Sequence, residues 1–310
     1  MAFKHKTVLL DEMINNILTN PEGIYVDCTL GGGGHSCALA QRLADTALLI
    51  GIDQDEQAIK AARERLKSIK CNYLTIRNNF SFVDENLDSV HIDKVDGFIF
   101  DLGVSSPQLD DGNRGFSYMN NGDLDMRMDQ RNTLTAYEVV NTYSSEMLEK
   151  ILFEYGEERW GKRIVQFILK ARKENPIKTT NELVHIIKAA IPQAVRREGS
   201  HPAKRTFQAI RIEVNNELKI LEQTMKDCVR RLKPGGRLGV ITFQSLEDRI
   251  IKNVFKLMET ACVCPPEFPV CMCHHTKEVK QIVKAQRPTE IEIKENPRAR
   301  SAILRVVEKI

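Results

Sequence analysis

The stretch of this chain best suited to ligand chemistry is Asp27-Cys28-Thr29-Leu30-Gly31-Gly32-Gly33-Gly34-His35-Ser36. Consecutive glycines let a backbone turn sharply and let a ligand approach where a Cβ would clash. A carboxylate, Asp53, follows Gly33 by about 20 residues, the spacing at which an acid reaches a ribose diol in nucleotide-binding folds. A second acid, Asp101, ends the apolar run Val95–Asp101 and leads into Leu102-Gly103-Val104-Ser105-Ser106-Pro107-Gln108, which carries two hydroxyls. A third group of residues, Cys262-x-Cys264 and Cys271-x-Cys273, is followed by His274 and His275. Four thiols this close suit a structural, tetrahedral zinc, although the C-x-C spacing is tighter than the common one. The bland alternative is a reduced, exposed loop prone to oxidation, with Pro265, Pro266 and Pro269 stiffening it.

Such residues need a scaffold, and the first hundred positions supply one by alternating strand and helix. Ile24–Cys28, Ala47–Ile52, Asn72–Ile76 and Val95–Asp101 read as strands. Glu56 to Ser68 reads as a helix, with Ile59, Ala62 and Leu66 at helical spacing and Asp55 as its cap. Alternation of this kind implies parallel strands joined by right-handed crossovers, with the ligand crevice beyond their carboxyl ends. Gly31–His35, Asp53, Asn79-Phe80 and Asp101 all fall there. From Asp110 to Gln130 the chain reads as an ordered loop. Helical patterns follow at Met147–Tyr155, Lys162–Lys173 and Thr180–Ala190, then one long helix from Thr206 to Leu232. A turn at Lys233-Pro234-Gly235-Gly236, a strand Arg237–Phe243, a helix Leu246–Met258 and a strand Ser301–Val307 complete the pattern. The expected organisation is an α/β core, 1–109 and 211–310, interrupted by a mostly helical insertion, 110–210.

The bulk numbers set limits. Over 310 residues, 42% hydrophobic and 28% charged residues describe an ordinary globular protein. A net charge of +3 is too small to argue for nucleic acid, so any basic surface must come from local clustering. No apolar stretch approaches the roughly 20 residues of a membrane span, and no signal-peptide core opens the chain. Eight cysteines without a secretory context point to reduced thiols and a cytoplasmic protein.

The glycine loop and acid fit a dinucleotide or S-adenosylmethionine. The pattern Gly31-x-Gly33-x-x-Ser36 lacks the third glycine of dinucleotide folds, which favours the second. Further runs in order along the chain are Arg114-Gly115-Phe116-Ser117, Leu124-Asp125-Met126-Arg127-Met128, Tyr155-Gly156-Glu157-Glu158, His201-Pro202-Ala203, Phe207-Gln208-Ala209-Ile210-Arg211, Ser245-Leu246-Glu247-Asp248-Arg249 and Asn296-Pro297-Arg298-Ala299-Arg300. With His5-Lys6-Thr7-Val8-Leu9-Leu10, Asp27 to Ser36 and Asp101 to Gln108, they make a chain that resembles the ribosomal RNA small-subunit methyltransferase H family. One departure is Gln244, between Phe243 and Ser245, where the family usually has histidine; an amide cannot titrate near neutrality.

The resemblance implies a Rossmann-like class I S-adenosylmethionine-dependent methyltransferase core and methylation of the exocyclic N4 of a cytidine in the decoding centre of bacterial 16S rRNA. It places cofactor contacts on Gly33, Gly34, His35, Asp53, Phe80, Asp101 and Gln108. Ser105, Ser106 or neighbouring backbone carbonyls are the candidates for orienting the amine. Asp125 is a further catalytic candidate, weighed against the stronger alternative of an ion pair with Arg127 or Arg131. Arg196, Arg197, His201, Lys204, Arg205 and Arg211 are the candidate RNA contacts within the small ribosomal subunit, with Arg114, Arg298 and Arg300 as possible additions. The rival readings are a dinucleotide oxidoreductase and an assembly factor that binds rRNA without catalysis.

Overall fold

The structure, a computed structural model, describes residues 7–196, 201–265, 267–268 and 270–310. They fall into two compact units, Met1–Gly103 with Leu218–Ile310, and Val104–Glu217. The break lies a few residues outside the expected 110–210 on both sides, so Ser105–Gln108 go with the helices rather than the sheet.

In the first unit, β1 (Ile24–Asp27), β2 (Leu48–Asp53), β3 (Asn72–Arg77), β4 (Val95–Asp101), β5 (Leu232–Thr242), β6 (Val279–Gln286) and β7 (Ile303–Lys309) form one sheet. Its order is β3-β2-β1-β4-β5-β7-β6. The first five strands run parallel, and β7 is antiparallel to both β5 and β6. A reversed β7 slotted between β5 and β6 is the Rossmann-like arrangement of class I methyltransferase cores. Parallel pairs require crossovers that cover both faces of a sheet, so central strands are buried throughout. β4 shows this, with every residue before Asp101 buried, whereas the edge strand β3 is largely exposed or half-buried. The helix Glu56–Leu66 lays Ile59, Ala62 and Leu66 inward, and the Asp55 carboxylate accepts from Gln57 N at 3.0 Å to cap it.

Three features depart from expectation. The single helix over 206–232 is two, Lys204–Asn215 and Leu221–Arg231, with Asn216 at φ 53° ending the first. Asparagine tolerates that left-handed conformation better than most residues. The turn at Lys233–Gly236 lies inside β5 as a bulge, because pairing jumps from Val95–Leu232 to Gly97–Arg237. β6 was not expected at all. It is a partly exposed edge strand carrying Lys280 and Lys284 and two register shifts, features that blunt an open sheet edge and also erase its apolar alternation.

In the second unit the helices Ala136–Thr142, Ser145–Glu154, Gly161–Glu174, Thr180–Ala190 and Lys204–Asn215 enclose a core that includes Leu152, Ile164, Leu183, Ile187, Phe207 and Ile210. Thr135 with Glu138 and Thr179 with Glu182 form reciprocal caps at two of these helices. The Asp110–Gln130 segment is ordered by what it buries and bonds. Leu124, Met126 and Met128 join the core. Asn215 Oδ1 accepts from Met128 N at 2.7 Å, while Asn215 Nδ2 donates to Met126 O at 2.8 Å. No described helix is long and apolar enough to cross a membrane.

Candidate active site

β1 pairs with β2 on one side and β4 on the other, so the strand order reverses at β1 and a crevice opens at its carboxyl end. Asp27, Asp53 and Asp101 are the last residues of these three strands. The glycine loop is pinned across them: Cys28 N donates to Ile99 O at 2.9 Å and Leu30 N to Ile52 O at 3.0 Å. Gly31 and Gly33 take φ of 50° and 73°, a region costly for side chains. A Cβ on Gly34 would sit 2.0 Å from Thr7 Oγ1, so that position has no room for one.

The carboxylates organise the loop as well as lining it. Asp53 Oδ2 accepts from Gly31 N and Oδ1 from Asp55 N, both at 2.8 Å. Asp27, almost fully buried, accepts from Ser36 Oγ at 2.7 Å and from Thr29 N at 3.2 Å. Thr29 Oγ1 accepts from Asp101 N at 2.6 Å, tying the loop to the end of β4. His35 is buried, and its Nε2 faces Val8 O at 3.2 Å, which requires that nitrogen to carry a proton. Its Nδ1 lies 3.8 Å from Asp101 Oδ2.

Burial pushes all three acids up. Asp27 and Asp53 rise to about 6, desolvation outweighing the hydrogen bonds that favour their charged forms. Asp101 rises to about 8, through burial first and then the nearby negative charges of Asp27 and Glu247. Its side chain is about one-fifth exposed overall, yet Oδ1 is sealed and finds no hydrogen-bond partner among the described residues. Glu247, in the first turn of the helix Ser245–Glu259, is buried and accepts from Phe243 N at 3.0 Å and Gln244 Nε2 at 2.7 Å. Gln244 thus serves as a fixed donor to Glu247. The site is an acid-lined crevice beside a glycine turn, in which burial makes negative charge costly and a nearby cation would offset that cost.

Over residues 2–310 the chain matches the MraW methylase family. The chain belongs to that family. It is 55% identical to the protein named Ribosomal RNA small subunit methyltransferase H in Clostridium botulinum (strain Kyoto / Type A2), with all of both chains covered. It is 51% identical to a protein of the same name in Clostridioides difficile (strain 630), again across the whole of both.

Among the expected cofactor residues, Gly33, Gly34, His35, Asp53 and Asp101 gather around the crevice. Phe80 opens the turn after β3 and packs edge-on against Phe100, with ring centroids 5.4 Å apart, so it is half-buried rather than wholly core. Gln108 and Ser105 cap the short helix Ser106–Asp110 reciprocally: Ser105 N donates to Gln108 Oε1 at 3.0 Å and Gln108 N to Ser105 Oγ at 3.4 Å. The Asp125 carboxylate is engaged by Arg127 through Nε at 2.9 Å and Nη2 at 2.6 Å, the ion pair weighed above against catalysis. Asp27 and Glu247 were missed as site residues. Asp27 was findable as the last strand residue before the glycines, whereas Glu247 reaches the site only through the fold.

The expected RNA contacts divide. Arg196, Lys204 and Arg205 are exposed, and Arg205 Nη1 donates to Glu157 O. His201 stacks on Tyr118 at 4.6 Å, and burial followed by Lys188 lowers its pKa. Arg211 turns onto Glu217, with Nε to Oε1 at 2.8 Å, and Arg114 is buried with Nη2 donating to Arg127 O at 3.0 Å. Arg114 is thus turned inward, while Arg211 is half-buried with its guanidinium engaged by a carboxylate. Arg298 and Arg300 are exposed in the first unit. Arg197, like His5 and Lys6, lies outside the described residues. Cys262, Cys264, Cys271 and Cys273 converge between the helix Ser245–Glu259 and β6.

Proposed function

We propose that this protein transfers the methyl group of S-adenosylmethionine to the exocyclic N4 of a cytidine in the decoding centre of bacterial 16S rRNA. The observation that carries the cofactor is the acid-lined crevice, above all the sealed and unpartnered Asp101 Oδ1. S-adenosylmethionine supplies an electrophilic methyl on a cationic sulfonium, and carboxyls that burial has pushed up gain from a positive ligand, which favours their charged forms. Backbone groups at Gly33 and Gly34 suit close approach of the methionine portion. Asp53 keeps a lone pair on each oxygen beyond the two it gives to backbone N–H groups, enough for a ribose diol. Phe80 offers an aromatic surface for adenine.

The N4 amine is a weak nucleophile because its lone pair is delocalised into the ring. The protein's work is therefore alignment and acceptance of a proton. Ser105 Oγ, whose second lone pair is not used in capping, and Ser106 are the proposed acceptors that orient the amine. Asp125, fixed on Arg127, shapes the surrounding loop. A base within folded RNA must leave its stack to react. Arg196, Lys204 and Arg205 are proposed phosphate contacts for that step, with Arg197 as a candidate from sequence, and the rRNA target follows the relatives' shared name.

The test is methyl transfer from labelled S-adenosylmethionine to small subunits that lack the modification, with naked rRNA in parallel, followed by nucleoside analysis. Label in N4-methylcytidine supports the proposal. Cofactor binding with no label on either RNA would refute the reaction and leave an assembly role.

A further inference from the structure

The segment joining the helix Ser245–Glu259 to β6 brings four thiols to one point. Cys262 Sγ lies 3.5 Å from Cys271 Sγ and 3.8 Å from Cys273 Sγ, and the latter two are 3.5 Å apart. With Cys264 included, all four sulfurs lie within 4.8 Å of one another. We infer that these four cysteines bind a single structural zinc ion.

Four thiolates about 2.3 Å from one tetrahedral ion have sulfur–sulfur edges of about 3.8 Å. The three separations among Cys262, Cys271 and Cys273, 3.5 to 3.8 Å, lie close to that figure. A disulfide would bring one pair to about 2.05 Å and leave the others apart. Here each of Cys262, Cys271 and Cys273 has two near neighbours at almost equal distance, the signature of a shared centre. Backbone donors also point at the sulfurs: Met272 N to Cys264 Sγ at 3.2 Å, Val263 N to Cys273 Sγ and Cys264 N to Cys262 Sγ, both at 3.4 Å. Such N–H groups stabilise sulfur most when it is anionic, as a metal ligand is.

The rest of the segment gives a reason for the ion. Val263, Phe268, Val270 and Met272 are between 49% and 69% exposed, so the segment has no apolar core of its own. A metal can do the ordering that burial does not. His275 Nε2 faces Leu257 O at 2.9 Å, and among the described residues the ligand atoms that converge here are the four sulfurs. Four sulfurs close the coordination sphere, so the ion has no open position for catalysis. Placement agrees: β6 begins opposite Lys309, the end of β7, and therefore at the amino edge of the sheet, whereas Asp27, Asp53 and Asp101 lie at the carboxyl edge. The ion holds the approach to β6, where Glu278 N donates to Met258 O at 2.8 Å. Pro266 and Pro269 lie outside the described residues.

The experiment uses the full-length protein, purified under reducing conditions without chelator or affinity metal. Elemental analysis is expected to give one zinc per chain, released as a mercurial titrates the thiols. Cys271→Ser with Cys273→Ser should lose the zinc. Cys262→His, which exchanges one zinc ligand for another, should keep it and guards against a variant that fails to fold. Metal-free protein with four freely reacting thiols, iron in place of zinc, or disulfides in the non-reduced mass would each overturn the inference.

Discussion

Asp101 makes stability depend on pH in a way that can be isolated. In the folded protein its carboxyl titrates at about 8, against 3.8 for the ordinary group. Between those values the folded state holds a proton that the unfolded chain has released. The native state then binds more protons than the unfolded one, so stability falls as pH rises, and the fall ends above about pH 8. The slope from one such group cannot exceed about 1.4 kcal/mol per pH unit. Asp27 and Asp53 titrate at about 6, so their slopes fade above that pH and Asp101 dominates from there to about 8. Two units at the full slope would be about 2.7 kcal/mol, and the one-fifth exposure of the side chain lowers the expectation to about 1–2 kcal/mol.

Asp101→Asn keeps the shape and removes the titration. Urea unfolding of both proteins across that window should give curves that diverge with rising pH, the variant gaining on the parent by about 1–2 kcal/mol. Groups remote from Asp101 are common to both proteins and cancel in the difference. Parallel curves would mean that Asp101 is ionised in the folded protein, and the argument for a charge-suppressed crevice would fail.

Gly34→Ala should weaken S-adenosylmethionine binding on the order of tenfold, about 1.4 kcal/mol by calorimetry, and Thr7→Ala in the same chain should restore part of the loss, because the clash is with Thr7. Cofactor binding near neutral pH should release a proton from Asp101, seen as a dependence of binding heat on buffer ionisation that Asp101→Asn abolishes. Asp125→Asn should lower stability by about 1–2 kcal/mol through its half-buried pair with Arg127. Unchanged melting with turnover lowered at least a hundredfold at unchanged KM, about 2.7 kcal/mol, would make Asp125 catalytic instead.

Much of the core was legible because its signals are local. β1 to β4 each carry an apolar run within a few residues, and the glycine loop, Asp53 and Asp101 are defined by their distance from those runs. What escaped depends on partners that the local pattern does not announce. Arg114 looks like a surface cation in sequence, yet it turns inward because the carbonyls of Arg127 and Met128 need a donor there. Asn215 holds Met126 and Met128 across more than eighty residues, and nothing near it announces that role. Arg211 reads as one of a basic series until Glu217 follows the break at Asn216 and takes its guanidinium.

Charge decided most of these differences. An exposed arginine and a buried one have the same letter, and the fold around each separates them. The acids show the converse. Asp27, Asp53 and Asp101 each end a strand, and sequence assigns each of them an ordinary carboxylate. Three adjacent parallel strands bring those ends together, because β1 lies between β2 and β4. The helix after β5 adds Glu247 to the same edge. Burial then pushes all three aspartates up, and with the added repulsion of Asp27 and Glu247 it takes Asp101 furthest, to about 8. The readiness of this site for a cation is thus a property of strand order, set by residues that lie far apart along the chain.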